Sequence, residues 1–248
     1  MDICQYLEQK KNLQNLLHLF IEYENNSEEN YQNLIKLIED QKISQKSSEL
    51  QSILYLLISI SNNLNRSNDF FSKIEKIILY LKKDITKQFT NLQLFHIFKS
   101  NKRLLLFLFK EKLIISEKSI TLLLQQKKYK KFNYISYLHN EIKTMTQLND
   151  QKNEEKLKIG ENDDIICEMI RKDSIDEFIS FTKKKKFQLK NSIEPSIFET
   201  NRFLLKNNTT LIEYSAFFGS IQIFRYLNLN GVELKPSIWI YAIHGRNP

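Results

Sequence analysis

The sequence predicts an all-α protein built of antiparallel helical pairs in a solenoid-like stack, and three observations carry that prediction. Turn-forming residues are scarce, with four Gly and three Pro in 248 residues. Leu, Ile, Phe, Lys, Asn and Gln dominate while Val and Thr are few, whereas sheets favour β-branched side chains. Apolar residues also recur at intervals of three and four, the spacing that places them on one helical face. An apolar share of 42% lets a chain of this length bury a sizeable core.

Residues 1–148 read as an N-terminal helical region. Tyr6, Leu7, Leu13, Leu16, Leu17, Phe20 and Ile21 form a first stripe, and Tyr31, Leu34, Ile35 and Ile38 a second. Leu50, Ile53, Leu54, Leu57 and Ile58 form a third. Phe70, Phe71, Ile74, Ile77, Ile78 and Leu81 form a fourth, opened by Asp69 as N-cap. Ser27, Thr90, Ser100 and Ser116 stand where further helices begin, because a side-chain oxygen there can bond the orphan N–H groups of a first turn. Short polar breaks such as 61–68 imply antiparallel neighbours. The basic run Gln126–Lys131 reads as an exposed loop.

Periodicity fails in NDQKNEEKLKIGENDD, which is polar, charged and contains Gly160, so residues 149–163 read as a linker or exposed loop. Its acidic end, Glu161 to Asp164, supplies charge and a cap for a helix starting near Ile165 rather than a cation site. Residues 164–248 form the tail. Lys183–Lys186 reads as its solvated helix end.

Three of the four glycines, Gly219, Gly231 and Gly245, punctuate this tail where helices should end. From Thr210 it runs T-L-I-E-Y-S-A-F-F-G, then S-I-Q-I-F-R-Y-L-N-L-N-G. Small Ser215 and Ala216 allow close helix approach, and Gly219 can turn the chain with positive φ. The pattern resembles the ankyrin repeat, T-P-L-H-x-A-A-x-x-G followed by a second helix and Gly-Ala. Thr210, Ile212, Ser215, Ala216, Gly219, Ile223, Leu227 and Gly231 fall on its positions, and the glycine interval of 12 (231 − 219) is the family's own. Ala242 and Gly245 repeat the Ala216–Gly219 spacing after Pro236, and ICEMIRKDSIDEFISF makes an earlier unit with Asp173 at the glycine position. HIFKSNKRLLLFLF has the same rhythm, with Ser100 at its turn.

The departures are specific. Glu213 and Trp239 replace the family's His, so its bonds to neighbouring turns are expected to be missing. Leu211 replaces its Pro, and NSIEPSIFETNRFLLKNN is inserted before Thr210. The stretch from Ile159 onward also looks like a group of protist ankyrin proteins whose N-terminal helical regions are uncharacterised. That resemblance implies degenerate ankyrin units with the last one truncated, and supplies no assigned activity. Trp239 and Tyr241 should then be more exposed than their size suggests.

Function classes narrow by absence of motifs. His18, His96, His139 and His244 are scattered, and no H-E-x-x-H, C-x-x-C, G-x-S-x-G or phosphate-cradling glycine loop occurs. His18 and His96 read as half-buried helical residues, and Cys167 as packing. The sequence therefore reads as a non-enzyme needing no cofactor or metal. A net charge of +8 invites a nucleic-acid or anionic-membrane alternative, but only six of the 37 basic residues are Arg, and the Lys, Asn, Ile, Phe and Tyr excess is the kind a base-composition bias produces. No signal-peptide pattern opens the chain, and no apolar run approaches the ~20 residues that span a bilayer. The expectation is an intracellular monomer, cytoplasmic or nuclear, that binds an unidentified protein.

Ankyrin stacks bind through a concave surface, where a few anchors dominate. Phe217, Phe218, Ile243 and His244 precede the two turns and are the candidate anchors. If instead they pack on one another or on the inserted Pro195–Asn208 segment, they are core.

Overall fold

Among residues 3–22, 27–63, 69–115, 117–131, 134–138 and 151–245, which the computed structural model describes, the chain is all-helical and forms no strand. It divides into two units, one made of residues 1–61, 66–100 and 107–115, the other of 62–65, 101–106 and 116–248. These units do not follow the division at 149 and 163 read from the sequence.

The first unit holds α1 (Ile3–Glu22), α2 (Ser27–Asp40), a 3₁₀ turn (Ile43–Gln45), α3 (Ser47–Asn63) as far as Ser61, α4 (Phe70–Tyr80), α5 (Lys82–Gln88) and α6 (Asn91–Phe98). The later residues of α7 (Lys102–Lys110) also belong to it. Helix α1 packs on α2 and α4. The stripes supply the core: Leu13, Leu17, Phe20 and Ile21 from α1, Leu34 and Ile38 from α2, and all the named positions of the third and fourth stripes are buried. Leu7 departs, at 60% exposed, and the side chain of Tyr6 lies outside the described set. Buried Lys73 is tolerated because its ammonium pairs with Asp69 at 2.9 Å and donates to the Ile21 carbonyl at 3.4 Å.

The caps fall partly as expected. Thr90 opens α6 in a reciprocal capping box, its N–H donating to Gln93 Oε1 at 2.8 Å and its Oγ1 accepting from Gln93 N at 3.3 Å. Asp69 precedes α4 but makes no side-chain cap bond, because its carboxylate is engaged by Lys73 one turn on. At α7 the cap is Asn101 rather than Ser100, with Leu104 N donating to Asn101 Oδ1 at 3.0 Å. Ser27 is itself the first residue of α2, and Ser116 lies outside the described residues.

The second unit continues with α8 (Lys118–Leu124), α9 (Lys127–Lys130), α10 (Tyr134–Tyr137), α11 (Gln151–Ile159), α12 (Ile165–Arg171), α13 (Ile175–Lys184), α14 (Arg202–Lys206), α15 (Leu211–Phe218), α16 (Ile221–Leu229) and α17 (Ile238–Gly245). Two readings change here. The basic run at 126–131 is a single helical turn rather than a loop, anchored by buried Tyr129, whose ring meets Tyr134 edge-on at 5.3 Å. Most of the stretch taken for a linker is α11, rich in the helix formers Glu, Lys and Leu. Its Leu157 is buried, and the Leu157 carbonyl accepts from Tyr137 Oη at 2.8 Å. Gly160, at φ 69°, ends the helix where an added Cβ would come within 3.0 Å of Thr200 Oγ1.

Candidate functional site

The tail core joins Ile166, Cys167 and Ile170 of α12, Phe178 of α13, Leu211, Ile212, Tyr214 and Phe217 of α15, Ile223 and Leu227 of α16, and Ile238 and Tyr241 of α17. Helix α15 packs on α12, α16 and α17, and α13 packs on α12 and α16. The hairpins turn as their residues dictate. Gly219, at φ 68°, caps α15 in the left-handed region and passes the chain into α16. Asp173 makes the equivalent turn at φ 48°, uncommon for a residue with a Cβ. Its carboxylate accounts for its presence: it accepts from the backbone N–H of Gln222 and of Ile223, each at 3.0 Å, and so caps α16 of the other hairpin. Ser220 meanwhile donates to the Ile170 carbonyl.

A second tie runs from α15 to α17. Thr210 and Glu213 form a capping box, with the buried Glu213 carboxylate accepting from Thr210 N at 2.9 Å and Thr210 Oγ1 at 2.7 Å. It also accepts from Ser237 Oγ at 2.6 Å, immediately before α17. A cross-tie is therefore present where replacement of His by Glu213 led us to expect none. Burial alone would raise this carboxyl's pKa, but hydrogen bonds from Ser237 and Thr210 and the charge of Lys235 outweigh it and hold it below the ordinary value.

The inserted segment is built in rather than looped out. Thr200 donates to the Gly160 carbonyl from both N (3.0 Å) and Oγ1 (2.6 Å), Ser196 Oγ donates to Asp163 at 2.7 Å, and Asn162 Nδ2 donates to the Glu194 carbonyl at 2.9 Å. Arg171 pairs with Glu161 at 2.8 Å and donates to Tyr214 Oη at 2.9 Å. As expected for the acidic end of that stretch, Asp164 caps α12, accepting from Ile166 N at 2.8 Å.

These elements decide where the four candidate anchors lie. Phe203 of α14 stacks on His244 at 3.9 Å, meets Tyr241 edge-on at 4.9 Å and lies parallel to Phe217 at 6.2 Å. Phe217 is buried, and Phe218 is half-buried against Tyr214 and Phe217, at 4.6 and 5.0 Å. Phe217, Phe218 and His244 thus belong to an aromatic cluster closed by the insertion, not to an open groove. Ile243 stands apart at 72% exposed, joined on α17 by Trp239 (70%) and Ile240 (52%). Sequence reasoning identified neither Phe203 as the closing ring nor Ile240 as exposed. The i, i+1, i+4 spacing of 239, 240 and 243 was the available signal. Tyr241 is buried rather than exposed, its hydroxyl 3.2 Å from Thr209 Oγ1. Among the remaining repeat positions, Ala216 and Ala242 are half-buried, Gly231 has φ 75°, and Gly245 ends α17 buried.

His18 is half-buried, His96 is exposed rather than half-buried, and His139 lies outside the described residues. Burial pushes the Cys167 thiol up to about 12, which keeps it protonated and inert. Among the described residues no group of three or more His, Cys, Asp or Glu is placed to hold a metal ion, and no helix is long and apolar enough to cross a membrane. Compared with family models, curated proteins and solved structures, the chain matches none of them.

Proposed function

We propose that the protein is a non-catalytic scaffold that binds another protein through an ankyrin-type, solenoid-like tail. The observation that carries this reading is the face of α17: Trp239, Ile240 and Ile243 are 70%, 52% and 72% exposed on one eight-residue helix. The opposite side of that helix is held by buried Ile238 and Tyr241. A helix seated by its buried side that leaves a tryptophan and two isoleucines in water has the make-up of a binding hot spot. The ankyrin assignment draws support from the Gly219 turn and from the cross-tie made by Glu213, which stands at the position of that repeat's His. Capture of partners from a lysate by the intact chain and by Ile243→Asp tests the reading. The variant is expected to lose a specific partner while its melting temperature stays nearly unchanged. Capture unaffected by Ile243→Asp, or a stability loss with no selective binding defect, would count against it.

A further inference from the structure

We infer that Asn230, at the end of α16, is a site of spontaneous covalent modification in the folded chain: it loses its side-chain amide and passes the backbone through its own β-carboxyl. The inference stands apart from the scaffold reading. Residues 230 and 231 are the only Asn-Gly pair in the sequence. Asn230 is exposed at the C-cap of α16, and Gly231 follows in the left-handed region at φ 75°. A Cβ added at Gly231 would meet no atom within 4 Å, so the space over the attacking residue is open as well as unobstructed by a side chain of its own.

The reaction needs no partner but water. The Gly231 nitrogen bonds to Cγ of Asn230 as the Cγ–Nδ2 bond breaks, and the proton of the Gly231 N–H leaves with Nδ2 as ammonia. Water then opens the five-membered imide, at Cγ to give aspartate or at the backbone carbonyl carbon to give isoaspartate. Nothing is oxidised or reduced. Two hydrogen bonds gate the attack: Asn230 Nδ2 donates to the Tyr226 carbonyl at 2.7 Å, and Gly231 N donates to the Asn228 carbonyl at 3.1 Å. Both belong to the last turn of α16, and helix ends open at far less cost than a core. Asn228 supplies the comparison. It is exposed on the same helix, yet the residue after it is Leu229, whose side chain crowds the attacking nitrogen. The products also matter to the fold. Either one puts a negative charge beside the carbonyl end of a helix. Isoaspartate further lengthens the main chain just ahead of buried Val232, whose N–H donates to the Leu227 carbonyl at 3.1 Å.

The full chain is aged at mild alkaline pH, in buffer and in urea, and then cut with trypsin. Asn228 and Asn230 fall on one peptide, which begins after Arg225. Fragment masses should place the exchange of NH2 for OH at Asn230 at least about ten-fold faster than at Asn228. An isoaspartate methyltransferase should label the aged peptide. Urea should hasten the change without being required for it. Gly231→Ala should slow it at least about ten-fold, and Asn230→Ser, which keeps the glycine turn, should abolish it. Exchange confined to the urea sample would overturn the inference, because the fold would then protect the site. Equal rates at Asn228 and Asn230, or an undiminished rate in Gly231→Ala, would overturn it too. If Gly231→Ala does not fold, the comparison with Asn228 in the unaltered chain decides alone.

Discussion

Replacing Glu213 by Ala tests whether the tail is held by ties between successive helical units. The carboxylate accepts three hydrogen bonds, from Thr210 N (2.9 Å), Thr210 Oγ1 (2.7 Å) and Ser237 Oγ (2.6 Å), in a residue only 6% exposed. A hydrogen bond to a charged acceptor contributes about 1.5–3 kcal/mol, and loss of a helix cap costs about 1 kcal/mol. These terms overlap, so Glu213→Ala should cost about 2–3 kcal/mol, or roughly 5–10 °C in melting temperature for a chain of this size. Glu213→Gln keeps an acceptor for Ser237 and should cost about half as much. Urea unfolding followed by circular dichroism gives the magnitudes, and hydrogen exchange localises the loss to the starts of α15 and α17. A cycle with Ser237→Ala should show non-additivity of about 1 kcal/mol. The pH dependence has a definite sign. Because the folded pKa is lowered, the contribution is present above the unfolded glutamate value of about 4.3 and is lost as pH falls through the folded value. The gap between wild type and Glu213→Ala should therefore close on acidification below that value. A destabilisation under about 0.5 kcal/mol, or additive effects in the cycle, would refute the cross-tie.

Two further outcomes are expected. Asp173→Ala should destabilise by about 1–2 kcal/mol, through the lost cap on Gln222 and Ile223, while Asp173→Asn, which tolerates φ 48° and keeps an acceptor, should recover most of it. Thermal melts of the two variants decide this, and equal losses would argue against a capping role. Thiol titration at mild alkaline pH should find Cys4 reactive and Cys167 silent until denaturant is added, because Cys4 is exposed while burial holds the Cys167 thiol at about 12.

What the sequence made legible was local. The apolar stripes of α2, α3 and α4 and the Gly219 turn depend on residues within a few positions of one another, and each lies where the spacing put it. The misreadings depend on partners remote in the chain. Helix α11 is tethered through Leu157 to Tyr137 and Arg103, 20 and 54 residues away. Phe203 closes the aromatic cluster from an insertion whose composition marked it only as a departure from a pattern. Asp173 at a glycine position reads as a defect until Gln222, 49 residues later, is known to donate to it. Which face of α17 meets water was not legible, because the ring of Phe203 and the hydroxyl of Thr209, both remote in the chain, hold the Tyr241 side.

The tie between Thr200 and Gly160 also orders events in time. Its two bonds to one carbonyl join positions 40 residues apart, with α12 and α13 lying wholly between them. Helical hairpins form from near neighbours, whereas a closure of that span must wait until the intervening helices have shortened the distance. The tie therefore belongs to the downhill side of the folding barrier, and it acts as a latch on escape rather than a guide on entry. In stopped-flow experiments Thr200→Val should hasten unfolding and leave the refolding rate almost untouched. A slowed refolding limb would instead place the insertion in the folding nucleus.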